Sequence, residues 1–239
     1  MSKLVLMCGC GHTGSSILAR IVGAHSAMYF VTQESGMFLA NRYFLEDQYL
    51  SRFNSAAAAE GKSFILEKTP RHIWHVDYIR RKFPDSKFIL TTRDGHEVVA
   101  SIYERTNDFQ NALTRYQDDS ILSLRQLGQP DTLLVRYEDL IDNPASLISE
   151  ICAWIGLGFE PEMLEYHQKP IEWNMNNAFA SGTLDAHDLL RNSQVNSPLE
   201  RPSRHWGERL PIEFHDQLNE FFAKDNMGNK LMRGFGYKV

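Results

Sequence analysis

The sequence predicts an α/β protein in three layers: a parallel sheet, helices on both of its faces, a P-loop-like turn after the first strand, and a C-terminal flap. Three observations carry this. Short apolar runs alternate with stretches of helical spacing, which implies parallel strands joined by right-handed crossovers. The first run ends in a glycine-rich turn. A long polar, proline-containing stretch follows the last strand–helix unit.

The elements follow in order. Lys3-Leu-Val-Leu-Met-Cys8 is an apolar run ending at glycine and reads as a buried strand. From Ser15 the period becomes helical, with Ile17, Leu18, Ile21 and Val22 on one face and Gly23 near the end. Met28–Thr32 is a second strand and Gly36–Ser55 a helix. Ser63-Phe-Ile-Leu-Glu67 is a strand that stops at Thr69-Pro70, because proline restricts the residue before it. His72–Phe83 is a helix, Lys87–Thr92 a strand, Asp94–Arg105 and Asn111–Leu127 helices, and Thr132–Arg136 a strand. Asn143-Pro144 opens a helix with proline in its first turn, running to Ile155. The stretch from His167 to Ser203 is rich in Asn and carries Pro170, Pro198 and Pro202; it reads as a partly ordered flap. A last helix spans Pro211–Asp225. The expectation is one domain over residues 1–239, with a flap or substrate cover at about 167–206.

Composition narrows the function. The chain of 239 residues is 43% hydrophobic and 23% charged, as in an ordinary globule with one core. Its net charge of −5 argues against general affinity for nucleic acid or an anionic membrane. No apolar run reaches membrane-spanning length and no secretory segment opens the chain. Cys8, Cys10 and Cys152 are too few and too unevenly spaced for a disulfide framework or a zinc site, so a reducing cytoplasm is the default.

The chemistry starts at Cys8-Gly-Cys-Gly-His-Thr-Gly-Ser-Ser16, between a buried strand and a helix. Such a junction aims backbone N–H groups and the positive helix end at one point, which suits a phosphate. Gly9-x-x-x-x-Gly14 matches the start of a Walker A loop, but Ser15 and Ser16 stand where an NTPase has Lys and Ser/Thr. Without that lysine or an evident magnesium ligand, NTP hydrolysis lacks its main electrostatic parts.

At this loop and in three later segments the chain resembles the sulfotransferases that use 3′-phosphoadenosine 5′-phosphosulfate (PAPS), in particular bacterial and tyrosylprotein-type members. Their 5′-phosphosulfate loop reads roughly Gly-x-Pro-Arg-Ser-Gly-Thr-Thr; Gly11 stands for its proline and His12 for its arginine. The second segment, Lys87–Arg105, looks like the 3′-phosphate motif, with Arg93 at the strand end and Ser101 in the next helix. Arg105, one turn on, matches a further basic residue of the tyrosylprotein type. The third, Leu133-Leu-Val-Arg-Tyr-Glu-Asp-Leu140, resembles a strand ending in Tyr-Glu-x-Leu and would put Tyr137 near the adenine. In the fourth, Arg204 and Trp206 match the basic residue and tryptophan of a late flap that folds over the nucleotide. The resemblance therefore implies PAPS as co-substrate with no metal required, and a nucleotide site of Gly11, His12, Thr13, Gly14, Ser15, Ser16, Arg93, Ser101, Arg105, Tyr137, Arg204 and Trp206. It also implies a bacterial, cytoplasmic protein that moves a sulfuryl group to a hydroxyl of a carbohydrate, small-molecule or tyrosyl acceptor.

Sulfuryl transfer needs a base for the acceptor hydroxyl and a cation for the departing bridging oxygen. Glu34, after the second strand, occupies the place of the relatives' glutamate base. Lys68, at the end of the third strand, matches a lysine that contacts the leaving group, while its neighbour Glu67 should face the other way. His12 replaces a permanently charged arginine, so it serves either as a cationic donor or as the base with Glu34 holding it. His72 is the reserve base. The competing readings are a P-loop kinase or NTPase, and a nucleotide-binding protein without activity. The acceptor pocket should draw on the helix after Gly36 and on the flap, through Phe38, Tyr43, Phe44, Trp173 and Phe179.

Overall fold

The computed structural model describes residues 2–173 and 186–239. Five parallel strands form one sheet: β1 (Lys3–Gly9), β2 (Met28–Phe30), β3 (Phe64–Lys68), β4 (Lys87–Thr92) and β5 (Thr132–Arg136), in the order β2-β3-β1-β4-β5. The central strand β1 pairs with β3 in a register that sets Met7 against Lys68, and with β4 in one that sets Gly9 against Thr91. The chain leaves β1 to one side for β2 and β3, then crosses to the other for β4 and β5. The turn after β1 sits at that reversal, where open α/β sheets bind ligands. Because all five strands are parallel, their carboxyl ends line one edge.

Strand alternation sorts the core. Val5, Met7, Leu66, Ile89 and Val135 face one way, under α1 (Ser15–Val22) and α7 (Pro144–Ile155). Leu4, Leu6, Cys8, Ile65, Phe88 and Leu90 face the other, under α2 (Glu46–Ala59) and α3 (Val76–Lys82). A third cluster joins α4 (Gly95–Thr106) and α5 (Phe109–Gln126) to α10 (His215–Phe222) and α11 (Met227–Gly234) through Val99, Tyr116, Leu218 and Met232. Between these stand α6 (Tyr137–Asp142), α8 (Ala186–Val195) and α9 (Trp206–Arg209). The three cysteines are free and buried. No described helix is long and apolar enough to cross a membrane.

Three element boundaries differ from the sequence reading, each for a local reason. The helix expected from Gly36 begins only at Glu46, after a 3₁₀ turn at Tyr43–Leu45. Gly36 has φ +59°, Arg42 donates from Nη1 to the Ser35 carbonyl at 2.7 Å, and the Gly36 N–H donates to Thr69 Oγ1 at 3.1 Å. These bonds outcompete a helical turn. The expected helix over His72–Phe83 is split into a 3₁₀ stretch, Pro70–His75, and α3. The final helix ends at Phe222, and Asp225, with φ +67°, turns the chain into α11, which Gly228 and Gly234 disguised. A 3₁₀ stretch, Pro161–Gln168, leads into the flap; within it α8 is helical, while Phe179 lies outside the described residues.

Candidate active site

The turn after β1 is held open by its own side chains. Thr13 Oγ1 donates to the Cys10 carbonyl at 2.8 Å and meets Thr91 Oγ1 at 2.6 Å. The Thr13 hydroxyl is thus turned inward, committed to Cys10 and Thr91. Gly9 (φ +126°), His12 (φ +69°) and Gly14 (φ +79°) adopt left-handed backbone. For His12 that conformation carries a strain that a glycine would not feel. Leu18 N–H makes the first bond of α1, to the Gly14 carbonyl at 3.1 Å, so the N–H groups of Ser15, Ser16 and Ile17 are the orphan donors of a helix start. A Cβ on Gly14 would stand 2.3 Å from the Tyr137 ring, so only glycine fits beneath that tyrosine. At Gly11 the corresponding space is taken by Arg115 of α5, whose Nη2 lies 2.9 Å from where a Cβ would be.

His12 reaches across from the turn to α4: its Nδ1 is 2.9 Å from Ser101 Oγ. Two residues expected at opposite ends of a nucleotide therefore touch directly. Arg93, just past β4, lies over the Tyr137 ring with its guanidinium carbon 4.7 Å from the centroid, and its Nη2 donates to Glu97 Oε2 at 2.9 Å. Glu97 also accepts the Trp206 N–H at 2.8 Å and an Arg209 Nη1 bond at 3.1 Å. Arg204 and Arg209 both pair with Glu104, and Arg105, one turn after Ser101, is exposed on the same helix. Arg93, Glu97, Tyr137, Glu138, Arg204 and Trp206 help line a cavity of about 560 Å³. His12, Glu34 and Lys68 do not line it.

Glu34 and Lys68 meet at the carboxyl ends of β2 and β3. Lys68 Nζ donates to Glu34 Oε1 at 2.5 Å; the lysine is 1% exposed and the glutamate 27%. The ammonium also lies 5.2 Å from the Trp173 ring centroid, and Trp173 stacks on Phe30 at 5.3 Å. Lys68 is thus buried between a carboxylate and an indole face. Glu67 points the opposite way, as strand geometry requires. Its Oε1 accepts from Ser35 N–H (3.1 Å), Ser35 Oγ (2.7 Å) and Thr69 Oγ1 (2.6 Å), and its Oε2 is 3.1 Å from His72 Nδ1. Burial pushes Glu67 up, but the His72 ring and the hydrogen bonds from His72, Thr69 and Ser35 outweigh it and hold the carboxyl below its ordinary value. Two consecutive residues of β3 therefore grip two consecutive residues of the next segment, Glu34 and Ser35, from opposite faces.

His72, the reserve base, is fully buried, and its Nε2 accepts the Phe38 N–H at 3.3 Å. Both ring nitrogens are used in fixing the 34–38 segment, so the histidine is a scaffold and not a base. Phe38, expected to line an acceptor pocket, is fully buried against His72 and Phe83. Trp173 is likewise fully buried, whereas Tyr43 and Phe44 are exposed. Sequence reasoning missed Arg115, Glu97 and the Glu67–His72 pair. A glutamate inside the apolar run Phe64-Ile-Leu-Glu67, at a strand end, was the available signal for the last.

An α/β sheet of order 2-3-1-4-5 with a glycine turn at its reversal and cationic groups along one edge defines a mononucleotide-binding class of fold. Within that class the chain belongs to the sulfotransferase family, whose model matches residues 32–161. The match takes in Glu34, Lys68, Arg93, Ser101, Arg105 and Tyr137 and begins after the glycine turn, so it owes nothing to that turn. Among curated relatives, protein-tyrosine sulfotransferase A of Caenorhabditis elegans is 25% identical over 115 residues, 44% of this chain and 30% of that protein. Nodulation protein NoeE of Sinorhizobium fredii is 28% identical over 135 residues, 46% of this chain and 32% of that protein. The chain thus spans about a third of the length of these relatives. Among solved structures, the sulfotransferase domain from the curacin biosynthetic pathway superposes with TM-score 0.61 at 16% identity, covering 100% of this chain and 99% of that one. A mouse sulfotransferase complexed with PAP gives 0.62 at 14%, covering 97% and 88%. Both share the fold.

Proposed function

We propose that this chain transfers a sulfuryl group from PAPS to an acceptor hydroxyl, leaving 3′,5′-ADP. The observation that carries the proposal is the Lys68–Glu34 pair at the carboxyl edge, beside a glycine turn that has no Walker lysine. On the registers above, Lys68 ends the strand next to β1, about 4.8 Å away in the hydrogen-bonding direction. The turn's geometry fits a phosphate: a glycine cradle, orphan N–H donors and a positive helix end converge there.

PAPS would bring the activated sulfuryl group; the chain's own residues would bind, orient and move a proton. Backbone N–H groups from Gly11 to Ser16 would hold the 5′-phosphosulfate, with the Ser15 and Ser16 hydroxyls beside them. Arg93 would grip the 3′-phosphate through its planar fork, exchanging its bond to Glu97 for one to phosphate. Ser101, Arg105, Arg204 and Trp206 would complete that end, and Tyr137 would separate the two anion sites. Glu34 would accept the proton of the acceptor hydroxyl as that oxygen bonds to sulfur. Lys68 would move its hydrogen bond from Glu34 to the bridging oxygen, whose bond to sulfur breaks. His12, bridging the turn and Ser101, would donate to the sulfuryl or phosphate oxygens. No metal enters this scheme. The free, buried cysteines support a reducing cytoplasm as its setting, and NoeE, a relative from a bacterium, supports a bacterial one. The protein-tyrosine sulfotransferase among the relatives makes tyrosyl peptides the first acceptors to try, with carbohydrates and small phenols beside them.

Thermal stability with 3′,5′-ADP, ATP and ATP–Mg tests the donor site. A ligand at 100 times its Kd adds about 2.7 kcal/mol. Stabilisation by 3′,5′-ADP supports the proposal, and stabilisation by ATP–Mg alone overturns it.

A further inference from the structure

The glycine turn has no basic residue of its own except His12, yet a guanidinium stands behind it. Arg115 lies on α5, and its Nη2 occupies the space that a side chain on Gly11 would fill, 2.9 Å from the position of a Cβ. The residue is 22% exposed. Its Nε is buried without a hydrogen-bond partner among the described residues, and the nearest carboxylate oxygen, Asp119 Oδ2, is 4.0 Å away. A contact that long at the limit of ion pairing leaves the guanidinium's donors largely unspent. Asp119 is itself anchored, because Trp74 Nε1–H donates to its Oδ1 at 2.7 Å. Burial pushes the Asp119 carboxyl up, while Trp74, Arg115 and Arg71 pull it down. A cation with an unpartnered buried donor, set against Gly11 of a turn that leads into a helix start, is an arrangement that an anion completes.

We propose that Arg115 is a binding residue for the 5′-phosphosulfate, reaching it through the gap left by Gly11 and supplying from α5 the permanent charge that His12 cannot. The inference rests on the sulfuryl-donor reading above. It explains how the turn can do without an arginine of its own: a permanent charge comes from a different element. It also gives Gly11 a specific role, since a methyl group there would press on the guanidinium.

Calorimetric titration with two ligands tests this, 3′,5′-ADP and adenosine 3′-monophosphate, which differ only in the 5′-phosphate. For the wild type, 3′,5′-ADP should bind more tightly. Arg115→Ala should lose about ten- to a hundredfold in affinity for 3′,5′-ADP, the worth of one or two charge-assisted hydrogen bonds. Its affinity for adenosine 3′-monophosphate should stay unchanged, which also shows that the variant is folded. Arg115→Lys should recover part of the loss. An Arg115→Ala loss that is equal for both ligands, or absent for both, overturns the proposal. A wild type that binds the two ligands equally, or neither, overturns the donor-site reading itself.

Discussion

The two ends of the proposed nucleotide site are built in opposite ways. The turn after β1 and the ends of β2 and β3 form a buried polar lattice. Thr13, Ser35, Glu67, Lys68 and His72 are each at most 4% exposed, and most of their bonds cross between elements. The other end, from Arg93 through α4 to α9, rests on ion pairs nearer solvent. Glu97 and Glu104 each bind two arginines, and Arg204 is 60% exposed. The lesson is a division of labour. On the proposed assignment, the chemistry sits where neighbours are fixed, and recognition of the remote phosphate sits where partners can be exchanged. Glu97 ties Arg93 to Trp206 and Arg209 within the second end, and the His12–Ser101 contact joins the two.

Breaking the buried side should cost most. Lys68→Met removes the cation proposed to face the leaving oxygen and its hydrogen bond to Glu34. We expect kcat to fall by at least about a thousandfold, in the range for loss of a preorganised electrostatic group, with 3′,5′-ADP affinity changed far less. Single-turnover transfer rates beside binding titrations would show this; parallel losses in both would contradict it.

Glu67→Ala should be the largest stability change. It leaves His72, Ser35 and Thr69 donors unpaired in the core, at about 3–5 kcal/mol for breaking a buried pair. At about 2–4 °C per kcal/mol for a domain of this size, Tm should drop by roughly ten degrees. The pH dependence has a defined sign. The folded Glu67 carboxyl lies below its ordinary 4.5, so its contribution is present above that value and is lost as pH falls through the lower, folded one. Denaturant melts from pH 6 down to pH 3 should therefore show a wild-type decline below pH 4.5 that is smaller in Glu67→Ala.

Gly14→Ala sits between the two regions, since its Cβ would strike the Tyr137 ring from a backbone at φ +79°. The backbone term alone is about 1–2 kcal/mol. Nucleotide binding should weaken as Tyr137 is displaced, measured by the 3′,5′-ADP thermal shift. On the exposed side, Arg204→Ala should change stability by less than about 1 kcal/mol, because an exposed pair contributes little. Any loss in 3′,5′-ADP affinity there should shrink as salt rises.

Much of this was legible in the sequence, and the residues that were not share a cause. The five strands and most helices follow from apolar periodicity, which local spacing records well. The glycine turn, Arg93 and Tyr137 follow strand ends, and parallel strands bring such positions to one edge; Ser101, inside α4, was legible only through the resemblance to a known motif. The 36–42 segment read as helix because its apolar residues have helical spacing. It is held out of a helix by Glu67, Thr69 and His72, about thirty residues away, and no local pattern reports that. His72 looked like a base for the same reason: a histidine near a lysine-bearing strand end gives no sign that both of its nitrogens are committed. Arg115 was hidden among the charged residues of a long helix. Only the distance to Gly11 distinguishes it.

The central claim is that the Glu34–Lys68 pair performs sulfuryl transfer at the fixed end of the site. Transfer of ³⁵S from labelled PAPS, in wild type and Glu34→Gln, across tyrosyl-peptide, carbohydrate and phenolic acceptors, tests it most directly. The account predicts label on an acceptor with the wild type and at least about a hundredfold less with Glu34→Gln, the usual worth of a general base. Equal transfer by the two proteins would contradict it.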